Sequence, residues 1–303
     1  MIRSVAVIGA GSMGAAVARH VQDAGLQLTV CDLDDTVLAS FDVRAARTTR
    51  LPADCAGADL VLVLVATPQQ VLATLLGNGG LKSGLKSDLS PGHAPLVAVM
   101  STVPMDTIAA LHAELAPLVG GLVDAPISGG PSRADAGTLT VMAGGEAGVL
   151  DAIEPVLRSF ASTIVRCGAL GSGQATKIIN NVVGIATAVV AAEAYRLAAD
   201  LGLDIAATAR ALELGTGRSF YSADAEGPRA TYAAMVAERR GFDSLLAIIR
   251  KDIGFANELT RATPGRYPAI AGLQSLLAGL GDETYENWRF VGGLPPRDAQ
   301  RSE

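Results

Sequence analysis

Aromatic residues make up only 4% of the 303-residue sequence, with a single tryptophan. A nucleic-acid binder built on aromatic stacking is therefore not expected. There is no basic block either: 24 lysines and arginines stand against 30 aspartates and glutamates, a formal net charge of −6. Such a chain has no electrostatic footprint for a phosphate backbone. Cysteine and histidine are scarce. Cys31, Cys55 and Cys167 are odd in number and far apart, and His20, His93 and His112 are scattered. The expectation is buried thiols in a reducing cytoplasm and no metal site. Long apolar runs are missing too. The greasiest, Leu60–Ala66 and Val182–Ala192, fall short of the roughly 20 residues of a spanning helix, so no membrane partner is expected. The opening MIRSVAVIGAGSMG soon reaches glycine and lacks a signal-cleavage context.

Apolar residues, in contrast, form 50% of the chain, and 34 residues are glycine. That is enough to fill a large core, and the length suits two domains. In the first third, Ser4–Ile8, Leu28–Cys31, Leu60–Val65 and Leu96–Met100 read as strands, with weaker ones at Leu122–Asp124 and Leu139–Ala143. Gly14–Ala24 reads as a helix stopped by Gly25. Strands without polar alternation, separated by helices, indicate a parallel sheet covered on both faces. Asn78–Pro95 is read as a loop or frayed helix.

Beyond about Cys167 the pattern becomes helical. Gln174–Ala199 is apolar on nearly every face and is expected to be buried, with Gly202 as its stop. Further helices are expected at Asp204–Leu214, Asp243–Ala262 and Pro268–Leu280, and Val291–Glu303 reads as a tail. The expected fold is a doubly wound α/β domain over 1–168, then an all-α domain over 169–290, linked by one long helix. Residues 291–303 are left as a flexible end.

Gly9-Ala10-Gly11-Ser12-Met13-Gly14 is a GxGxxG loop placed after a strand and opening a helix. Gly9 allows the tight turn, Gly11 lets backbone approach a pyrophosphate, and Gly14 allows close packing. The helix N-terminus then offers free N–H groups to the phosphates. Asp32, at the end of the second strand, would accept the ribose hydroxyls of NAD and repel a 2′-phosphate. NADP is the alternative, with Arg44 or Arg47 as phosphate partner.

Two more motifs follow. In the segment from Asp124 to Leu139, Ser128, Gly129 and Gly130 offer a hydroxyl and bare N–H groups, either a carboxylate cradle or a structural turn. In Gly171–Asn181, Lys177 and Asn181 are four apart and share one helix face. A lysine in so apolar a helix is either snorkelling or functional. Burial lowers a lysine's pKa and makes it usable for proton transfer near neutrality.

Taken together, GAGSMG at Gly9–Gly14, DAPISGG at Asp124–Gly130 with GTL at Gly137–Leu139, GSGQATKIINN at Gly171–Asn181 and KDIGFA at Lys251–Ala256 resemble the β-hydroxyacid dehydrogenase family. The resemblance implies a Rossmann-type first domain, Lys177 as catalytic acid/base, and Asn181 with Ser128, Gly129 and Gly130 as substrate-binding residues. It places Thr102, beside Ser101, and Lys251 against the cofactor, with Gly9–Gly14 and Asp32. Arg133 departs from the family by standing where a glycine is usual, and Val17 and His20 replace a methionine and an asparagine.

The implied reaction is hydride exchange between NAD(H) and a small 3-hydroxy acid or its semialdehyde. An imine reductase and a non-catalytic dinucleotide-binding module are the rivals; both relatives usually lack the lysine. Phe220, Tyr221, Tyr232 and Phe242 either select the substrate or simply pack. The apolar long helix, with Ala186, Ala188, Ala191, Ala192 and Ala194 for close approach, is expected to meet its copy in a homodimer or homotetramer.

Overall fold

The structure is a computed structural model and describes residues 1–42, 46–86, 93–222 and 229–295. Arg44, residues 87–92 of the glycine- and serine-rich stretch and most of the expected tail, 296–303, lie outside these. The chain opens with β1 (Ser4–Ile8), α1 (Ser12–Asp23), β2 (Gln27–Cys31), α2 (Asp35–Asp42) and β3 (Arg47–Thr49). After a 3₁₀ turn at Pro52–Cys55 come β4 (Leu60–Val63), α3 (Pro68–Leu76), α4 (Leu81–Lys86) and β5 (Leu96–Val99). There follow α5 (Met105–Leu115), β6 (Gly121–Asp124), β7 (Ile127–Ser128), α6 (Gly130–Asp135), β8 (Leu139–Gly144), α7 (Ala147–Leu157) and β9 (Ala161–Gly168). The rest is helical: α8 (Ser172–Asp200), α9 (Ile205–Leu214), α10 (Arg229–Met235), α11 (Arg239–Thr260), α12 (Pro268–Ala278) and α13 (Asp282–Val291).

These elements divide into two compact units, Met1–Lys177 and Ile178–Glu303. In the first, the strand order is β3-β2-β1-β4-β5-β6-β8-β7, with β9 paired to β8. The strands from β1 to β6 are parallel, whereas β8 runs antiparallel to β6 and β7. The sheet is thus mixed at one end, where the sequence reading had it parallel. Alternate residues of one strand serve opposite faces. Val5 and Val7 join one buried cluster with α1, while Ala6 and Ile8 join another with α3 and α5. That double burial is why the strands read as unbroken apolar runs. The order reverses between β1 and β4, the place in a doubly wound sheet where ligands bind at the strands' carboxyl ends.

The second unit is all-helical. Its core gathers the scarce aromatics: the Trp288 ring lies 5.4 Å from Tyr232 and 5.6 Å from Phe242, and Phe242 lies 5.1 Å from Tyr285. Tyr232 and Phe242 are fully buried, Tyr221 packs against this core, and Phe220 is exposed. Packing therefore accounts for three of the four aromatics weighed as substrate selectors.

Several expectations need correction. Of Asn78–Pro95, expected as a loop or frayed helix, Leu81–Lys86 forms the short helix α4, held by contacts with the 3₁₀ turn. The strand β9 gives no buried apolar run to read: only Ala161 is buried, and the rest of the strand is exposed or half-buried. The helix α13, not among the expected helices, is polar overall, shows only a narrow apolar face and ends at Val291. Of the three cysteines, Cys31 and Cys55 are buried, but Cys167 is only half-buried on β9. The helix α8 is long and apolar enough by length and composition to cross a membrane, which counting uninterrupted runs missed because Asn180, Asn181 and Glu193 interrupt its apolar stretch. Nor is α8 buried all round. Ile179, Val183, Val190 and Leu197 are 59–62% exposed, whereas Ala188 and Ala192, expected on the open face, are covered by the chain's own core.

Candidate active site

The glycine loop lies between β1 and α1, at the strand-order reversal. A Cβ on Gly9, whose φ is +90°, would stand 2.8 Å from the Leu64 carbonyl oxygen, and one on Gly14 only 1.9 Å from the Gly9 carbonyl oxygen. Glycine is thus enforced at both by the close approach of backbone. At Gly11 a Cβ would meet nothing within 4 Å, so this glycine faces open space, as a loop that lets a pyrophosphate approach must. Asp32 is drawn to the same loop. Its carboxylate accepts the Ala10 N–H at 2.6 Å and the Asp34 N–H at 3.0 Å. A carboxylate offers about four acceptor positions, so capacity remains for ribose hydroxyls. Loop, helix N-terminus and acid together fit a dinucleotide.

Ser101 and Thr102 follow β5. The Ser101 hydroxyl is buried and donates to the Val65 carbonyl at 2.7 Å, a structural bond, which leaves Thr102 as the more exposed member of the pair. This segment is tied to the start of α8 by Gln174, itself fully buried. Gln174 donates through Nε2 to the Ser101 carbonyl at 2.8 Å and accepts the Val103 N–H at 3.0 Å.

Lys177 is buried, 8% exposed, in the second turn of α8, and the first turn of that helix is clamped by Asp124. The Gly171 N–H donates to Asp124 Oδ1 and the Gln174 N–H to Oδ2, both at 2.6 Å. Glycine before Ser172 has no side chain to cap the helix. A carboxylate 47 residues upstream does that work, and the Gln174 side chain is released to hold Ser101 and Val103. Space for it is narrow: a Cβ on Gly173 would lie 2.8 Å from Asp124 Oδ2. Burial pushes the Asp124 carboxyl above its ordinary range, although the N–H groups around it pull the other way.

Ser128 ends β7, and Gly129 and Gly130 lead into α6. This short helix is fastened to α1: Arg19 pairs with Asp135 at 2.9 Å, and His20 Nε2 lies 3.0 Å from the carbonyl oxygens of both Ala134 and Asp135. His20, odd as a sequence feature, thus has a structural role.

Asn181 lies one turn beyond Lys177 on α8. Within the second unit its Nδ2 donates to Asp252 Oδ2 at 2.7 Å. Asp252 is 4% exposed, its Oδ1 accepts no hydrogen bond among the described residues, and the Lys251 ammonium sits 3.3 Å from that oxygen and 5.4 Å over the Phe255 ring. The structure therefore joins Asn181 and Lys251 through a carboxylate that the sequence reading passed over. Its signal was present: Asp252 falls three after Ile249 and four before Ala256, on the apolar stripe of α11, where a carboxylate is out of place. Asp124 and Gln174 were read only as letters of motifs. Among the described residues, no group of three or more histidine, cysteine or acidic side chains is placed to hold a metal.

Comparison with known proteins finds family matches along both units. Residues 4–169 match the family profile described as the NAD binding domain of 6-phosphogluconate dehydrogenase, and residues 171–289 match that of the NAD-binding domain of NADP-dependent 3-hydroxyisobutyrate dehydrogenase. L-threonate dehydrogenase of Cupriavidus necator is 37% identical over 209 residues, 67% of each chain. The NAD-dependent L-serine dehydrogenase of Pseudomonas aeruginosa is 28% identical over 88% of each chain. Among solved structures, the 3-hydroxyisobutyrate dehydrogenase of Mycobacterium tuberculosis with L-serine superposes with a TM-score of 0.73 at 27% identity, over 92% of this chain and 93% of that one. A glycine loop with its acid, a clamped lysine-bearing helix and matches along both units lead to one conclusion: the chain belongs to the β-hydroxyacid dehydrogenase family of NAD(P)-binding oxidoreductases.

Proposed function

We propose that this protein oxidises the β-hydroxyl of a small 3-hydroxy acid to a carbonyl, giving a semialdehyde where the alcohol is primary and an oxo acid where it is secondary, reversibly, with Lys177 as the acid/base. The observation that carries the reading is the buried Lys177 on a helix whose first turn is fixed by Asp124 and Gln174. When bound, NAD(H) would supply the hydride acceptor or donor for the reacting carbon. Lys177 takes the hydroxyl proton during oxidation and gives one to the carbonyl oxygen during reduction. Asn181 orients that oxygen, with its amide steadied by Asp252. Ser128, Gly129 and Gly130 hold the substrate carboxylate, while Thr102 and Lys251 contact the cofactor. The compounds named for the relatives, L-threonate, L-serine and 3-hydroxyisobutyrate, all carry a hydroxyl β to a carboxylate and support this substrate class.

The test is a panel of 3-hydroxyisobutyrate, glycerate, 4-hydroxybutyrate and four-carbon sugar acids, assayed for reduced cofactor with NAD and with NADP. Turnover of at least one 3-hydroxy acid is expected; none with either cofactor would overturn the reading. The Asp32 carboxylate is expected to favour NAD by about ten- to a hundredfold in kcat/KM. A preference for NADP would instead point to Arg47 or Arg44.

Assembly belongs to the same reading. Ile179, Val183, Val190 and Leu197 are spaced four, seven and seven residues apart and form one exposed ridge along α8. A second copy packing its own ridge there gives a two-fold contact. Light scattering should return twice or four times the 30.8 kDa chain mass, and Val183→Glu with Val190→Glu should lower it. A wild-type mass near 30.8 kDa would contradict the assembly.

A further inference from the structure

We propose that Arg133 selects hydroxy acids that carry a second anionic group, a carboxylate or a phosphate, in addition to the carboxylate held at Ser128–Gly130. The inference rests on the cradle reading given above and narrows its substrate class. Its first support is position. A Cβ on Gly129 would stand 2.9 Å from Arg133 Cβ and 3.0 Å from Arg133 Cδ, so the arginine stem lies directly on the backbone of the cradle. The side chain is half-buried there, seated rather than extended into solvent.

The second support is rigidity. The backbone of this segment is pinned at several points: the Thr138 N–H donates to the Arg133 carbonyl at 2.9 Å, and His20 and Arg19 hold the end of α6. Arg133 therefore projects from a fixed base. The third is charge. Asp135, the nearest carboxylate in sequence, is taken by Arg19 at 2.9 Å. Among the described residues no hydrogen bond or ion pair satisfies the Arg133 guanidinium. A guanidinium is charged at every working pH, and its planar fork matches carboxylate or phosphate oxygens two at a time. Neutral donors, a hydroxyl and backbone N–H groups, suffice for one carboxylate. A cation held beside them without a partner is suited to a second anion.

The experiment compares wild type with Arg133→Gln on paired substrates with NAD. Malate, whose hydroxyl is β to one of its two carboxylates, and 4-phosphoerythronate form the dianionic arms; 3-hydroxyisobutyrate and erythronate are the monoanionic controls. Arg133→Gln should lower kcat/KM about tenfold or more for at least one dianionic arm and change the monoanions less than about threefold. The arm that responds identifies carboxylate or phosphate. Equal losses for all substrates, or no loss for any, would overturn the inference while leaving the dehydrogenase reading intact. Should wild type turn over none of the four, calorimetric titration of malate and 4-phosphoerythronate into the NADH-loaded proteins decides. Binding weakened about tenfold in the variant supports the selector role, and unchanged or absent binding refutes it.

Discussion

Lys177→Ala is expected to lower kcat by about 10²- to 10⁴-fold, the usual range for removing a positioned acid/base, while NADH binding changes little. The split follows from where the residue lies. The glycine loop and Asp32 are built by β1, α1 and β2, and none of their backbone bonds passes through Lys177. Binding measured by NADH fluorescence should thus persist as turnover disappears. Residual activity close to wild type would remove Lys177 from the chemistry. Loss of NADH binding in step with turnover would mean that the substitution damages the fold.

The second large effect is expected at Asp124. Replacing it by alanine leaves the Gly171 and Gln174 N–H groups without their acceptors at a fully buried position. At about 1–3 kcal/mol for each unsatisfied group, the loss should be about 2–4 kcal/mol once the relieved burial of the carboxylate is counted. Urea unfolding checks this, and an unchanged midpoint would show that the clamp is dispensable. Asp124→Asn removes the titrating group, while its amide can accept only one of the two N–H groups and so keeps half of the clamp. Burial raises the Asp124 carboxyl above its unfolded value, so between those two values the folded chain binds more proton than the unfolded one. Stability then falls as pH rises through that interval, and the asparagine variant should lose this part of the slope.

The pattern of residues that could be read in advance has a physical basis. Strands such as Leu60–Val63, buried on both faces, advertise themselves as continuous apolar runs, and Gly25, Gly202 and the N-cap Asp204 punctuate helices with local chemistry. The glycine loop was legible because its need for glycine is largely local: Gly9 has a φ of +90°, and a Cβ on Gly14 would meet the Gly9 carbonyl of the same loop. What stayed hidden depends on distant partners. Nothing local in Asp124 announces that it will cap a helix 47 residues later, and Asp252 acquires meaning only beside Asn181, 71 residues away. The long helix shows a different limit. Apolar content told that α8 needs covering, but which side its own chain covers was decided by α10, α11 and α13, whose Tyr232, Phe242 and Trp288 fill one flank. The remaining ridge could be located only after those helices were in place.

The central claim is hydride exchange with a 3-hydroxy acid, and isotope transfer tests it most directly. The acids of the substrate panel, each deuterated at the carbinol carbon, would be incubated with the protein and NAD, and the recovered NADH examined by mass and NMR. The account predicts deuterium at the nicotinamide C4 position, a slower rate than with the protiated acid, and neither in Lys177→Ala. NADH free of deuterium, or no NADH from any acid in the panel, would contradict it.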